Sequence, residues 1–246
     1  QRSAERGEVD NPDHLRQHRV WLFSGANDHT VDRGVVDALV AFYRSRLADG
    51  AVRYVQHPEA GHAMISVAEG QANACPTSEP PFINRCDTLD AAGELLAHLL
   101  GPLAPRTATP RGELLSFDQR PFITGSAIDA SMGDAGFVYV PQACRSGGCR
   151  IHVAYHGCRQ GSDTLGDRYA ADAGYNAWAD GNRLIVLYPQ ARARYGFAWG
   201  SWRYVMNPKG CWDWWGYTGA DYASRDAKQI LAVQRMIERL TEAAAP

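Results

Sequence analysis

The chain's reading turns on Arg19-Val-Trp-Leu-Phe-Ser-Gly-Ala-Asn-Asp28, then Val52-Arg-Tyr-Val55, then His57-Pro-Glu-Ala-Gly-His62. Residues 19–23 are a short apolar run stopped by Ser24-Gly25, which predicts a buried strand. Residues 35–47 carry Val36, Leu39, Val40 and Tyr43 at helical spacing, with Gly50 as the stop. Val52–Val55 alternates and predicts a second strand. The order is therefore strand, Asp28, helix, strand, His62. Open α/β sheets gather their sites at the C-terminal ends of strands, where both residues fall. An aspartate there can orient a histidine and stabilise its imidazolium. Asp28 could equally cap the following helix; Asp32 competes for the acid role but suits the cap better. A lone loop histidine is usually a surface residue, and it is the pairing with Asp28 that raises His62 above one.

The same alternation continues outward. A helix is expected over 91–100, closed by Gly101-Pro102. A Pro-, Thr- and Ala-rich surface crossing follows at 102–111. Strands are expected at 137–141, 150–155 and 183–188, and helices at 169–180 and about 225–240. This predicts the α/β class, with a mostly parallel sheet flanked by helices. Neither half has enough strands for a complete sheet, so residues 1–246 are expected to form one catalytic domain. The order strand–Asp–helix–strand–His matches the tail of the Ser…Asp…His series of α/β-hydrolases.

Bulk properties narrow the partners. The 246 residues are 45% hydrophobic and 21% charged, with a formal net charge of -2. That balance offers no basic field for nucleic acid or anionic membrane. No apolar run has membrane-spanning length. Six cysteines form three suggestive couples: Cys144 with Cys149 across a short turn, Cys75 with Cys86 across a Pro-rich loop, and Cys158 with Cys211. Fifteen pairings are possible, so spacing alone leaves connectivity open. Disulfides and an oxidising compartment, secreted or periplasmic, are expected. No Cys/His spacing points to zinc; no metal or cofactor is expected, and a monomer is.

Two further segments carry chemistry. Tyr155-His-Gly-Cys158-Arg-Gln160 follows a strand, and such a turn can aim a backbone N–H at a developing oxyanion; otherwise it is a tight turn with a structural cysteine. Asn207-Pro-Lys-Gly-Cys-Trp-Asp-Trp-Trp-Gly-Tyr217 packs Trp212, Trp214, Trp215 and Tyr217 into six residues, with Trp199 and Trp202 nearby. Aromatic platforms suit apolar ligands, although at least two of these tryptophans are expected to fill core. No serine lies in a Gly-x-Ser-x-Gly elbow. Ser24 follows a strand but sits in the acid's own loop, and the cysteines, expected in disulfides, offer no free thiol as a nucleophile.

Tyr155-His-Gly-Cys-Arg-Gln160, Gly174-Tyr-Asn-Ala-Trp-Ala-Asp180, Leu187-Tyr-Pro-Gln190 and Asn207-Pro-Lys-Gly-Cys-Trp-Asp-Trp214 together resemble the extracellular poly(3-hydroxybutyrate) depolymerases. The resemblance runs from Arg19 to about Leu240. Asp28 and His62 precede the His-Gly-Cys strand, which resembles the circularly permuted branch of that family. It implies a serine esterase acting on a polyester or oligoester through an acyl-enzyme. Asp28 and His62 match the triad acid and base. Cys158 matches an oxyanion-hole residue through its N–H, with its side chain paired to Cys211. Trp214 matches a residue lining the substrate crevice. The family's serine is expected upstream of Gln1, so that this chain is N-terminally incomplete and inactive alone. An acetyl or feruloyl polysaccharide esterase of the same fold and a non-catalytic polymer-binding protein are the competing readings.

Overall fold

The computed structural model describes residues 2–68 and 70–242. These cluster into two compact units, one of the described residues up to 105 with 172–175, the other of 106–171 with the described residues from 176 onward. The division after Pro105 falls inside the 102–111 stretch.

In the first unit, a short helix α1 (Arg2–Glu5) precedes β1 (Val20–Gly25), α2 (Arg33–Arg44) and β2 (Val52–His57). Strands β1 and β2 pair in parallel from Val20↔Val52 to Gly25↔His57. Parallel pairing puts both C-terminal ends at one edge, so the loops after them are neighbours. Three short strands follow, β3 (Met64–Ile65), β4 (Asn73–Ala74) and β5 (Ile83–Arg85), in the order β3-β5-β4, all parallel. Helix α3 (Ala91–Leu100) has the bounds its sequence predicts. It begins where the Asp90 side chain accepts from Gly93 N–H at 3.0 Å, and stops at Gly101, whose φ of 90° an L side chain would resist. The unit's core gathers Ala60, Ile65, Cys86 and Ala91 with Trp21, Phe23 and Met64.

The second unit contains β6 (Glu113–Asp118), α4 (Ala127–Ala130), β7 (Ala135–Val140), β8 (Arg150–Val153), α5 (Ser162–Leu165), α6 (Arg168–Asp172, whose last residue clusters with the first unit), α7 (Tyr175–Gly181), β9 (Leu184–Tyr188), β10 (Arg194–Gly196), β11 (Val205–Asn207) and α8 (Lys228–Glu242). Its main sheet runs β6-β7-β9-β8. The β8–β9 pair is parallel, whereas β6–β7 and β7–β9 are antiparallel. Strand β9 is interior to the sheet and buried at every position, as its unbroken apolar run requires. Met236 and Ala232 of α8 pack on Leu187, Ile185 and Val138. Strands β10 and β11 form a separate antiparallel pair.

The predicted helix over 169–180 is two helices. Gly174 adopts φ 94°, and a Cβ there would lie 3.1 Å from Ser66 Oγ. The Ser66 hydroxyl donates to the Asp172 carbonyl at 2.8 Å. The turn is thus fixed by a tertiary contact that helical periodicity does not encode. Strand β6 is also absent from the sequence reading. Its burial is sparse, as befits an edge strand.

The three disulfides are Cys75–Cys86, Cys144–Cys149 and Cys158–Cys211, the couples expected. No helix among the described residues is long and apolar enough to cross a membrane. His57, Cys75 and Cys86 come within 4.8 Å of one another. Both sulfurs are consumed in a disulfide, so they offer no thiolate to a metal.

The packing sets two expectations for stability. Leu187→Ala, at a side chain 1% exposed, should lower the unfolding free energy by about 2–5 kcal/mol in denaturant titration. Burial pushes the His152 imidazole from 6.5 down to about 4. As pH falls through 6.5, the unfolded chain therefore takes up the proton first. The contribution of neutral His152 is complete above 6.5 and is lost progressively towards pH 4. His152→Gln should lose stability less steeply than wild type over that window; equal slopes would remove His152 as the cause.

Candidate active site

The site in the first unit is built by two adjacent loops. Gly25 closes β1, and a Cβ on it would lie 2.1 Å from the Ala60 carbonyl oxygen. Only glycine lets the backbones approach this closely. Across that contact Ala26 N–H donates to the His57 carbonyl at 2.9 Å and Asn27 N–H to the Ala60 carbonyl at 3.0 Å. The Asn27 side-chain amide donates to the Glu59 carbonyl at 2.8 Å. The acid's loop is thereby tied to the loop carrying the histidine.

Asp28 Oδ2 lies 2.9 Å from His62 Nδ1. Asp28 Oδ1 accepts from the N–H groups of Thr30 and Val31, each at 2.9 Å. Of the two roles weighed for Asp28, the contact with the histidine forms, whereas the helix-capping role does not: the N–H groups it accepts from precede α2, whose N-cap position is held by Asp32. Asp32 stands at the N-cap position of α2 but makes no side-chain capping bond. A carboxylate only accepts, so it fixes the proton on Nδ1 and leaves Nε2 with a free lone pair. Asp28 is well covered, its side chain 13% exposed, while that of His62 is 39% exposed. The ring is therefore anchored on one nitrogen and accessible on the other.

Two residues beside His62 escaped the sequence reading. Ser78 Oγ accepts the His62 backbone N–H at 2.8 Å, and the buried Phe82 ring meets the imidazole edge-on at 6.4 Å. Both lie within the Cys75–Cys86 loop, the one signal in the sequence that could have pointed to them. Ser24 is 2% exposed. Its hydroxyl has no hydrogen-bond partner among the described residues, so no base is aimed at it.

The second unit holds the turn after β8. His156 is 2% exposed; its Nδ1–H donates to the Gly157 carbonyl at 2.7 Å and its Nε2 accepts from Ala191 N–H at 3.0 Å. Burial holds this imidazole below the ordinary histidine range. Gly157 N–H donates to Gln160 Oε1 at 2.7 Å, Arg159 N–H to the Lys209 carbonyl at 2.7 Å and Gln160 N–H to the Gly157 carbonyl at 3.1 Å. Among the described residues no hydrogen bond uses the N–H of Cys158, which is exposed. The Cys158–Cys211 disulfide pins the turn through the side chain and leaves that N–H alone.

Cys158 and Trp214 line one open pocket of about 450 Å³, with Met206, Pro208, Lys209 and Trp215. Core filling by at least two of the tryptophans is not what the structure shows. Of Trp199, Trp202, Trp212, Trp214 and Trp215, only Trp212 packs into the core, where Tyr155 and His156 meet its ring. Trp199 and Trp202 are 98% and 99% exposed, Trp214 72% and Trp215 39%. The Asp213 carboxylate explains part of this. It accepts from the N–H groups of Trp215, Gly216, Tyr217 and Thr218, curling the backbone around itself and turning Trp214 and Trp215 outward.

No family model matches the chain. Curated relatives do. A poly(3-hydroxybutyrate) depolymerase of Delftia acidovorans is 37% identical over 97% of this chain and 45% of its own length. A polyhydroxybutyrate depolymerase of Talaromyces funiculosus is 35% identical over 92% of this chain and 67% of its own. The chain thus spans less than half of the Delftia relative. The crystal structure of PHB depolymerase from Penicillium funiculosum superposes with a TM-score of 0.88 at 33% identity, covering 99% of this chain and 77% of that one. A serine-to-alanine variant of PHB depolymerase complexed with an R3HB trimer gives 0.86 at 33% identity, over 97% and 75%. These likenesses share the α/β-hydrolase-type fold and extend over nearly all of the chain. By sequence and by fold alike, it belongs to the poly(3-hydroxybutyrate) depolymerase family.

Proposed function

We propose that the protein is a secreted serine ester hydrolase that cleaves poly(3-hydroxybutyrate) or its oligomers, with Asp28 as acid and His62 as base. The observation that carries this reading is the 2.9 Å contact between His62 Nδ1 and Asp28 Oδ2, with Asp28 held by two loop N–H groups, in a chain of this family.

In the reaction, His62 Nε2 takes the proton of a serine hydroxyl as the oxygen attacks the ester carbonyl. The imidazolium that forms donates through Nδ1 to Asp28, whose charge stabilises it without itself taking the proton. His62 then protonates the leaving alkoxide, and the acyl-enzyme is hydrolysed by water activated on the same nitrogen. The nucleophile is assigned to a serine outside residues 1–246, since no serine within them has an elbow sequence. Cys158 N–H is assigned to the oxyanion, supported by the spare donor on a turn that its neighbours fix. A preorganised donor of this kind acts on charge that appears only in the transition state. Trp214 is assigned to the substrate, supported by its place beside Cys158 in an apolar-walled pocket. Three disulfides support an oxidising destination.

In the whole protein, Asp28→Asn and His62→Ala should each cut release of 3-hydroxybutyrate from polyester film by about 10³–10⁴-fold, with the fold retained by circular dichroism. Wild-type rates in either variant would sink the assignment. Turnover of acetylated or feruloylated xylan in place of the film would move the substrate to polysaccharide esters. Film binding without hydrolysis would make the protein a binding module. Trp214→Ala should raise KM for soluble oligomers several-fold while changing kcat little, as expected for a contact made equally in ground and transition states.

A further inference from the structure

From Gly61 onward, backbone N–H groups around His62 are bonded to one loop. Gly61 N–H donates to the Cys75 carbonyl at 2.9 Å, Met64 N–H to the Phe82 carbonyl at 2.9 Å, and Ser66 N–H to the Asn84 carbonyl at 2.9 Å. His62 N–H donates to Ser78 Oγ at 2.8 Å. Four N–H groups between 61 and 66 therefore end on residues 75–84. The approach is close enough to dictate Gly61, where a Cβ would lie 2.5 Å from the Thr77 carbonyl oxygen and 2.6 Å from that of Pro76.

This loop has little of its own to hold it. Residues 76–80 are Pro-Thr-Ser-Glu-Pro, with no large apolar side chain. Two devices hold this stretch to the buried end of the loop at Phe82 and Ile83. The Cys75–Cys86 disulfide closes its ends at a Cα separation of 4.7 Å. The fully buried Asn84 amide donates to the Cys75 and Thr77 carbonyls at 2.9 and 2.6 Å, stapling the interior. Phe82 is held at φ 53°, a left-handed conformation unusual for an aromatic residue, and in it the ring faces His62.

We propose that the disulfide-closed loop 75–86 is the positioning element for His62, with Ser78 its principal contact and the Cys75–Cys86 bond the restraint that keeps Ser78 and Phe82 in place. Asp28 fixes one ring nitrogen, but a single hydrogen bond leaves the imidazole free to pivot about it. The loop fixes the backbone from which the ring projects. Small misplacements of a base are costly because proton transfer needs hydrogen-bond reach. The loop thereby controls the chemical step rather than substrate binding. The inference rests on the esterase reading for its catalytic meaning, but the positioning itself can be read without turnover.

The test compares Ser78→Ala, Ser78→Thr, Cys75→Ala/Cys86→Ala and, as a control, Cys144→Ala/Cys149→Ala in the whole protein. On a soluble 3-hydroxybutyrate oligomer, Ser78→Ala and the Cys75/Cys86 double variant should lose about 10- to 100-fold in kcat with KM within about 2-fold. Ser78→Thr, which keeps the acceptor oxygen, should recover most of the rate, and the control should keep its kcat. In parallel, the low-field Nδ1–H proton resonance of His62 should shift or broaden in the two damaging variants and stay in place in the control. Unchanged kcat and resonance in folded Ser78→Ala would overturn the proposal, as would equal losses in the control. If the double variant does not fold, Ser78→Ala and its threonine rescue decide. If wild type hydrolyses no ester, the function fails and the resonance alone decides the positioning.

Discussion

The contact between Gly25 and the Ala60 carbonyl holds the site together. Parallel pairing of β1 and β2 brings Gly25 opposite His57, and the missing side chain at Gly25 lets the two outgoing loops touch. The placing of Asp28 beside His62 follows from that approach. Asn27 is bonded to the far loop through both its backbone and its amide, Asp28 turns under its own loop's N–H groups, and one carboxylate oxygen is left to meet His62. A larger residue at 25 would push Asp28 and His62 apart before either was lost.

The two functional stretches are stabilised by different means. The His62 loop relies on a disulfide-closed neighbour and a stapling asparagine. The turn at Cys158 relies on a buried neutral histidine, a glutamine that accepts from Gly157 N–H and a disulfide to Cys211. Both solutions fix polar backbone with side-chain hydrogen bonds, and both add a cystine. Short polar loops bury too little surface to order themselves, and at these two stretches a cross-link adds the missing restraint.

Much of this is legible in the sequence for a physical reason. Strands β1, β2 and β9 are apolar runs with clear stops, and α3 carries its own cap and terminating glycine. Asp28 and His62 fall at consecutive strand ends, where topology alone makes them neighbours. What escapes depends on contacts between distant residues. Strand β6 is an edge strand with little burial to pattern it. The break at Gly174 comes from Ser66. Strands β3, β4 and β5 are two or three residues long and exist because the disulfide loop brings them together. Trp214 and Trp215 mislead because a hydrophobic residue's burial depends on the backbone beneath it, and Asp213 turns that backbone outward. Ser78 has no pattern of its own; only the shape of its loop gives it a partner.

If His62 is the base that activates a serine, removing its imidazole must slow that serine's reaction even with a reagent that needs no substrate pocket. The decisive quantity is the rate at which a serine-directed phosphonate labels the whole protein, with His62 intact and with His62→Gln. One equivalent should bind to one serine in wild type, and labelling should be slower by about 100-fold or more in the variant. Equal rates in the two proteins, or ester hydrolysis by a protein that takes up no label, would show that His62 does not activate a serine.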